Sequence, residues 1–108
     1  ALASSTRYES VKRQLTNAGL IDFFETITTG DMVNHSKPAP EIYQKAIKSL
    51  NLKPEDCIAV EDSPNGIRSA FAANLKVIMI PDKIQPTEEI RQMTEKIYSN
   101  LNYLKEIL

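Results

Sequence analysis

Three short segments carry side chains whose types and order could act together on a phosphoryl group. They are Ser4-Ser5-Thr6, Lys37 within Ser36-Lys37-Pro38-Ala39-Pro40, and Glu61-Asp62 at the head of Ser63-Pro64-Asn65-Gly66. Ser4 stands where an apolar stub gives way to a helical pattern, so its hydroxyl and the free backbone N–H groups of the following turn can face an anion together. The plainer role for Ser4, Ser5 or Thr6 is to cap that helix. Lys37 lies in a loop whose prolines at 38 and 40 restrict the backbone and so the direction of the ammonium. A positioned cation can offset charge on a transferring phosphoryl group, although a lone lysine is ordinarily solvated. Glu61 and Asp62 end an apolar run, where carboxylates need a cation or hydrogen bonds as compensation. Mg²⁺ takes one or two carboxylates together with phosphate oxygens and water. The competing role is capping, because Asp62 or Ser63 can accept from the next helix N-terminus.

The surrounding pattern supplies elements to hold these groups. Ala1-Leu2-Ala3 reads as a strand end, and Tyr8, Val11, Leu15 and Ala18 recur at helical spacing before Gly19 closes the helix. Thr26 to Thr29 is a short β-branched strand closed by Gly30-Asp31, and a loop runs from Met32 to Ala39. Pro40 starts a second helix with Ile42, Tyr43, Ala46, Ile47 and Leu50 on one face. After a turn at Lys53 to Asp56, Cys57 to Val60 reads as a strand buried on both faces. A third helix follows Gly66, with Ile67, Ala70, Phe71 and Ala73 apolar. Val77 to Ile80 is the next strand, stopped by Pro81. Thr87 to Met93 reads as a short helix, Lys96 to Tyr98 as an edge strand, and Asn100 as the cap of a last helix through Leu101, Leu104 and Leu108. Alternation of this kind predicts an α/β fold with a parallel sheet covered on both faces. Ligands bind such sheets at the carboxyl ends of the strands, which puts Ser4, Lys37 and Glu61-Asp62 on one rim.

Composition narrows the partners. Thirteen Lys and Arg against 14 Asp and Glu give a net charge of −1, without the basic footprint that nucleic-acid binding requires. With 42% hydrophobic and 25% charged residues over 108 positions, the chain suits one globular domain spanning 1–108. The single cysteine, Cys57, can form neither a disulfide framework nor a cysteine-based metal site and reads as a core residue. No apolar run approaches a membrane span and no leader pattern opens the chain, so a cytoplasmic location is expected.

Taken together, Leu2-Ala3-Ser4-Ser5, Ser36-Lys37-Pro38-Ala39-Pro40-Glu41-Ile42-Tyr43 and Val60-Glu61-Asp62-Ser63-Pro64-Asn65-Gly66-Ile67 resemble motifs two, three and four of the haloacid-dehalogenase-like superfamily. The order and spacing agree, and the similarity runs to about Pro81. The resemblance implies a three-layer α/β/α Rossmann-like core in which Ser4 binds the transferring phosphoryl group and Lys37 stabilises its charge. It also implies that Ser5, Thr6 and Arg7 flank the phosphate, that Glu61 and Asp62 hold Mg²⁺, and that Ser63 and Asn65 support the metal loop. Family members attack with an aspartate in an Asp-x-Asp motif on the central strand, forming an aspartyl-phosphate. No such motif occurs here: Asp22, Asp31, Asp56 and Asp82 all lack an Asp two positions later. The resemblance therefore implies the C-terminal part of such a core, with the nucleophile strand and cap domain absent. A gap would remain in the sheet for an N-terminal segment or a second chain to complete, and the fragment alone would be inactive.

Within the superfamily the segments look most like the β-phosphoglucomutase and sugar-phosphatase branch. Thr6 and Arg7 match the mutase grip on a second phosphate, but Tyr8 replaces its Asn, which favours a phosphatase acting on a small phosphorylated metabolite. A mutase and a catalytically dead phosphate-binding module are the alternatives. A response-regulator receiver also combines acids, a hydroxyl and a lysine, but with its acids first and its lysine last, the reverse of the order here. His35, two residues before Lys37, is of a residue type that serves in proton transfer yet matches no position the family uses. His35→Ala in the complete enzyme is expected to leave kcat nearly unchanged; a large fall in steady-state turnover would give that imidazole a part in the chemistry.

Overall fold

The computed structural model describes residues 1–81 and 86–99. Strand β1 (Leu2–Ser4) leads into helix α1 (Tyr8–Asn17), and β2 (Ile27–Thr29) into α2 (Glu41–Ser49). Next come β3 (Ile58–Glu61), α3 (Pro64–Ala72), β4 (Lys76–Met79), α4 (Glu88–Met93) and β5 (Lys96–Ile97). Every strand pair is parallel, as connection through helices requires. β1 pairs with β2 in one sheet, and β3, β4 and β5 form a second in that order. The α/β class expected from the alternation is therefore the class observed, with its strands divided between two sheets. The helix expected after Asn100 lies outside the described residues.

Local chemistry explains where the helices begin and end. At the end of α1 the Gly19 amide donates to the Thr16 carbonyl at 3.1 Å and the Leu20 amide to the Leu15 carbonyl at 2.8 Å, satisfying carbonyls the helix leaves open. Helix α3 opens with Ser63 accepting from the Gly66 amide and with Pro64 in the first turn, where a missing N–H costs nothing. Thr87 caps α4 in the same manner.

The core lies where α2 and α3 meet the strands. Ile42, Ile67, Val77, Met79 and Ile90 are fully buried, with Ala59 and Ala70 between them, and Ala3 of β1 packs against this cluster. α2 touches both β1 and β2 as well as α3, so this one helix joins the two sheets.

Two expectations change. β3 is covered on one face only: Ala59 and Glu61 are buried while Ile58 and Val60 are 50% and 41% exposed. The cause is the placement of β3 beside an open groove, with α3 packed on one side of it. Phe71 of α3, grouped with Ile67, Ala70 and Ala73 as the apolar residues of this helix, points outward, because Ile67 and Ala70 already occupy the face against the sheet. Cys57 is partly buried against the core, where burial and then the Asp56 charge push its thiol pKa upward. Among the described residues no helix is long and apolar enough to cross a membrane.

Candidate functional site

Parallel strands that run the same way bring their carboxyl ends to one rim, and here those ends are Ser4 of β1 and Glu61 of β3. Between them lies a cavity of about 610 Å³ lined by Ser4, Ser5, Lys37, Tyr43, Glu61 and Asp62 at its polar end and by Leu2, Ile58 and Val60 along its length. Of the residues singled out from the sequence, five share this cavity. Thr6, Arg7, Ser63, Asn65 and His35 are not part of its lining.

At the centre of the polar end, Lys37 Nζ donates to Glu61 Oε2 at 2.8 Å, with both side chains largely buried. The Tyr43 hydroxyl donates to the same oxygen, and the Lys37 ammonium lies 5.4 Å from the centre of the Tyr43 ring, within cation–π range. Burial raises the Tyr43 pKa well above its usual range, with the Glu61 charge and hydrogen bond adding to it, so this phenol remains a donor. A buried carboxylate is costly without partners, and here two donors converge on one oxygen.

The Lys37 loop is fixed from several sides. The Glu41 carboxylate accepts from the Asn34 and His35 amides at 2.5 and 3.3 Å, and Lys45 Nζ donates to the Met32 carbonyl at 2.7 Å. From α3, the fully buried Ser69 hydroxyl donates to the Ala39 carbonyl at 2.7 Å. The helix that begins in the Glu-Asp segment thus holds the loop that carries the lysine.

The capping alternatives resolve differently for the two acidic and hydroxyl segments. Ser63 caps α3, which leaves Asp62 exposed with no hydrogen bond from the described residues. Ser4 Oγ accepts from the Thr6 amide at 3.2 Å, while Arg7 occupies the cap position of α1 without a side-chain hydrogen bond. The first-turn amide of Tyr8 goes instead to Asp31, at 3.1 Å. Asn65 turns away, accepting from Arg68 Nη1 at 3.5 Å, and Arg68 in turn pairs with Glu89.

Sequence reasoning did not single out Tyr43, Ser69, Glu41 or Asp31. Tyr43 and Ser69 sit on helix faces that are otherwise apolar, and a hydroxyl at such a position needs a buried partner, which is the signal that could have identified them.

Asp62 offers a hard, unengaged carboxylate beside Glu61, donors of the kind Mg²⁺ prefers. No three His, Cys, Asp or Glu come together around a metal position among the described residues. The two acids thus fit a partial magnesium site, with the remaining ligands to be supplied by phosphate, water or other groups.

Comparison with known proteins agrees with this geometry. Residues 1–80 match the model of the haloacid dehalogenase-like hydrolase family. The Bacillus subtilis protein YhcW is 44% identical over 86 residues, covering 80% of this chain and 39% of its own length. The phosphorylated carbohydrates phosphatase of Thermotoga maritima is 36% identical over 78 residues, covering 72% of this chain and 36% of its own. The crystal structure of CbbY from Rhodobacter sphaeroides in complex with phosphate superposes with a TM-score of 0.81 at 33% identity, covering 91% of this chain and 44% of that one. This chain spans less than half the length of each of these proteins.

Glu61 also depends on Gly66, because a Cβ there would collide with the Glu61 carboxylate. Gly66→Ala is expected to displace that carboxylate from Lys37 and Tyr43 and to lower stability by about 1–3 kcal/mol, the usual cost of overpacking. Urea denaturation measures this, and an unchanged midpoint would mean that Glu61 relocates without cost.

Proposed function

The chain belongs to the haloacid dehalogenase-like hydrolase family, and on that premise we propose that it forms the phosphate- and metal-holding part of a Mg²⁺-dependent phosphatase. The observation that carries this reading is the Lys37–Glu61 ion pair, formed across 24 residues of sequence in the same cavity as Ser4 and Asp62.

The role we assign to each residue is supported by its placement. The Ser4 hydroxyl and the amides of the turn after it bind phosphoryl oxygens, with Ser5 beside them in the cavity and the exposed Thr6 and Arg7 next in the chain. Lys37 offsets the negative charge that gathers on the phosphoryl group and its attacking oxygen. Glu61 holds Lys37 in place, and together with Asp62 it would hold Mg²⁺, whose contribution is to neutralise phosphate charge. Ser63 keeps the Asp62 backbone at the head of α3, and Asn65 stands next to this loop. Because phosphoryl transfer asks mainly for positioning and charge stabilisation, buried and mutually braced side chains suit it.

The attacking aspartate comes from a further strand. Among the described residues β1 pairs only with β2 and β3 only with β4, so both strands present an unpaired edge, and both line the groove between the sheets. A parallel strand entering there, from a preceding segment or a second chain, would satisfy both edges and bring its carboxyl end to Ser4, Lys37 and Glu61. The reaction is then attack of that aspartate on phosphorus with departure of the substrate alcohol, followed by hydrolysis of the aspartyl-phosphate by water.

The substrate class is a small phosphorylated metabolite, most simply a sugar phosphate. Support comes from relatives that act on phosphorylated carbohydrates and hexitols, and from a CbbY variant crystallised with xylulose-(1,5)bisphosphate. A mutase is the second reading, resting on Thr6 and Arg7; Tyr8 at the third position of that grip, with its amide engaged by Asp31, favours the phosphatase. A cytoplasmic setting suits such a substrate.

In the complete enzyme Asp62→Asn is expected to weaken Mg²⁺ dependence and lower kcat by at least ~100-fold, as loss of preorganised electrostatics does. Wild-type turnover in that variant, assayed across a magnesium titration, would refute the metal assignment. Lys37→Ala is expected to cost a similar factor, and an unchanged rate would remove Lys37 from the site.

A further inference from the structure

The turn that carries Ser4 and Ser5 is held from within by the Thr6 amide on Ser4 Oγ, and from outside by a second segment. Arg7 caps α1 without a side-chain hydrogen bond, so the amides that open this ten-residue helix need acceptors from elsewhere. The segment that follows β2 supplies one, for the Tyr8 amide. Asp31 Oδ1 accepts from the Tyr8 amide at 3.1 Å and from the Thr29 hydroxyl at 2.5 Å. Thr29 is completely buried, so the hydroxyl that meets the carboxylate is shielded from water. One residue away, the Gly30 amide donates to the Thr6 carbonyl at 3.2 Å, and the Gly30 Cα lies so close to the Ser5 carbonyl that a Cβ would collide with it. β2 is in register with β1 up to Ser4↔Thr29, so these three contacts begin where the paired strands stop.

We infer that Asp31 is a positioning residue for phosphoryl binding: through Thr29 and the Tyr8 amide it fixes the Ser4–Arg7 turn, and with it the direction of the turn's amides. This rests on the phosphatase reading of the preceding section, but not on the identity of the substrate. Asp31 is not itself one of the residues that line the cavity. Its carboxylate carries negative charge toward a site for an anion, so its value there is its geometry as an acceptor and not its sign. The lowered pKa that its hydrogen bonds give it, the Thr29 hydroxyl foremost, agrees with a carboxylate engaged as an acceptor.

Geometry and charge are separable by substitution. Asn retains an acceptor oxygen for both the Tyr8 amide and the Thr29 hydroxyl and removes the charge, whereas Ala removes both. In the complete protein, binding of inorganic phosphate is measured by isothermal titration and phosphate inhibition of turnover by steady-state kinetics. Asp31→Ala is expected to weaken phosphate binding about tenfold and raise KM with a smaller change in kcat, since displaced donors lose contacts to the phosphoryl group in both ground and transition states. Asp31→Asn is expected to bind phosphate within about twofold of the wild type. Thr29→Val, which preserves side-chain volume and removes the hydroxyl, should weaken binding in the same direction and serves if the Ala variant does not fold. Wild-type phosphate affinity in both Asp31→Ala and Thr29→Val overturns the positioning role alone, as does equal weakening in Asp31→Asn and Asp31→Ala. Absence of phosphate binding by the wild-type protein overturns the phosphatase reading and the positioning role together.

Discussion

A buried carboxylate that must be satisfied organises the polar end of this molecule. Glu61 leaves the end of β3 inside the protein, and its side chain reaches Lys37 and Tyr43 from two separate segments. Removing either donor would leave charge or polarity uncompensated in a poorly solvated place, which is a large penalty. The same requirement accounts for Gly66 at the head of α3, since only a residue without Cβ leaves room for the carboxylate. Lys37 is thereby held in one orientation, and under the proposed function such preorganisation is what electrostatic stabilisation of phosphoryl transfer needs.

Bracing extends outward in layers. α3 holds the Lys37 loop through Ser69 and Ala39, α2 holds the start of that loop through Glu41, and α2 also joins the two sheets. On the other side of the cavity, the segment after β2 fixes the turn after β1. Each half of the cavity is thus positioned by its neighbour in the fold, and not by adjacent sequence. The two unpaired strand edges that face the groove are the counterpart of this arrangement: the site is braced from outside while its centre remains open to another strand.

Much of this was legible in the chain. The Ser-Ser, Lys-Pro and Glu-Asp-Ser segments identified the family, and the regular alternation of β-branched runs with helical spacing predicted parallel strands and their order along the chain. The expectation of a gap in the sheet follows the same logic and agrees with two sheets whose free edges share one groove. Ile58 and Val60 read as buried because they lie in a continuous apolar run, and Phe71 reads as one of the apolar residues of its helix. Which face of an element is covered depends on what packs there, and periodicity reports a face without naming its cover.

The sequence by itself determined the class of fold, the family, and which residue types stand at the ends of the strands, because these depend on local pattern and on motifs of a few residues. The tertiary structure decided which donors Glu61 would take, that Ser63 and not Asp62 would cap α3, and that Asp31 would serve the turn after β1. The first and last of those outcomes set residues 18 to 24 positions apart against each other. Buried hydrogen-bonding groups must find partners, but nothing in the local chain says which of the available partners the folded packing will bring within 3 Å.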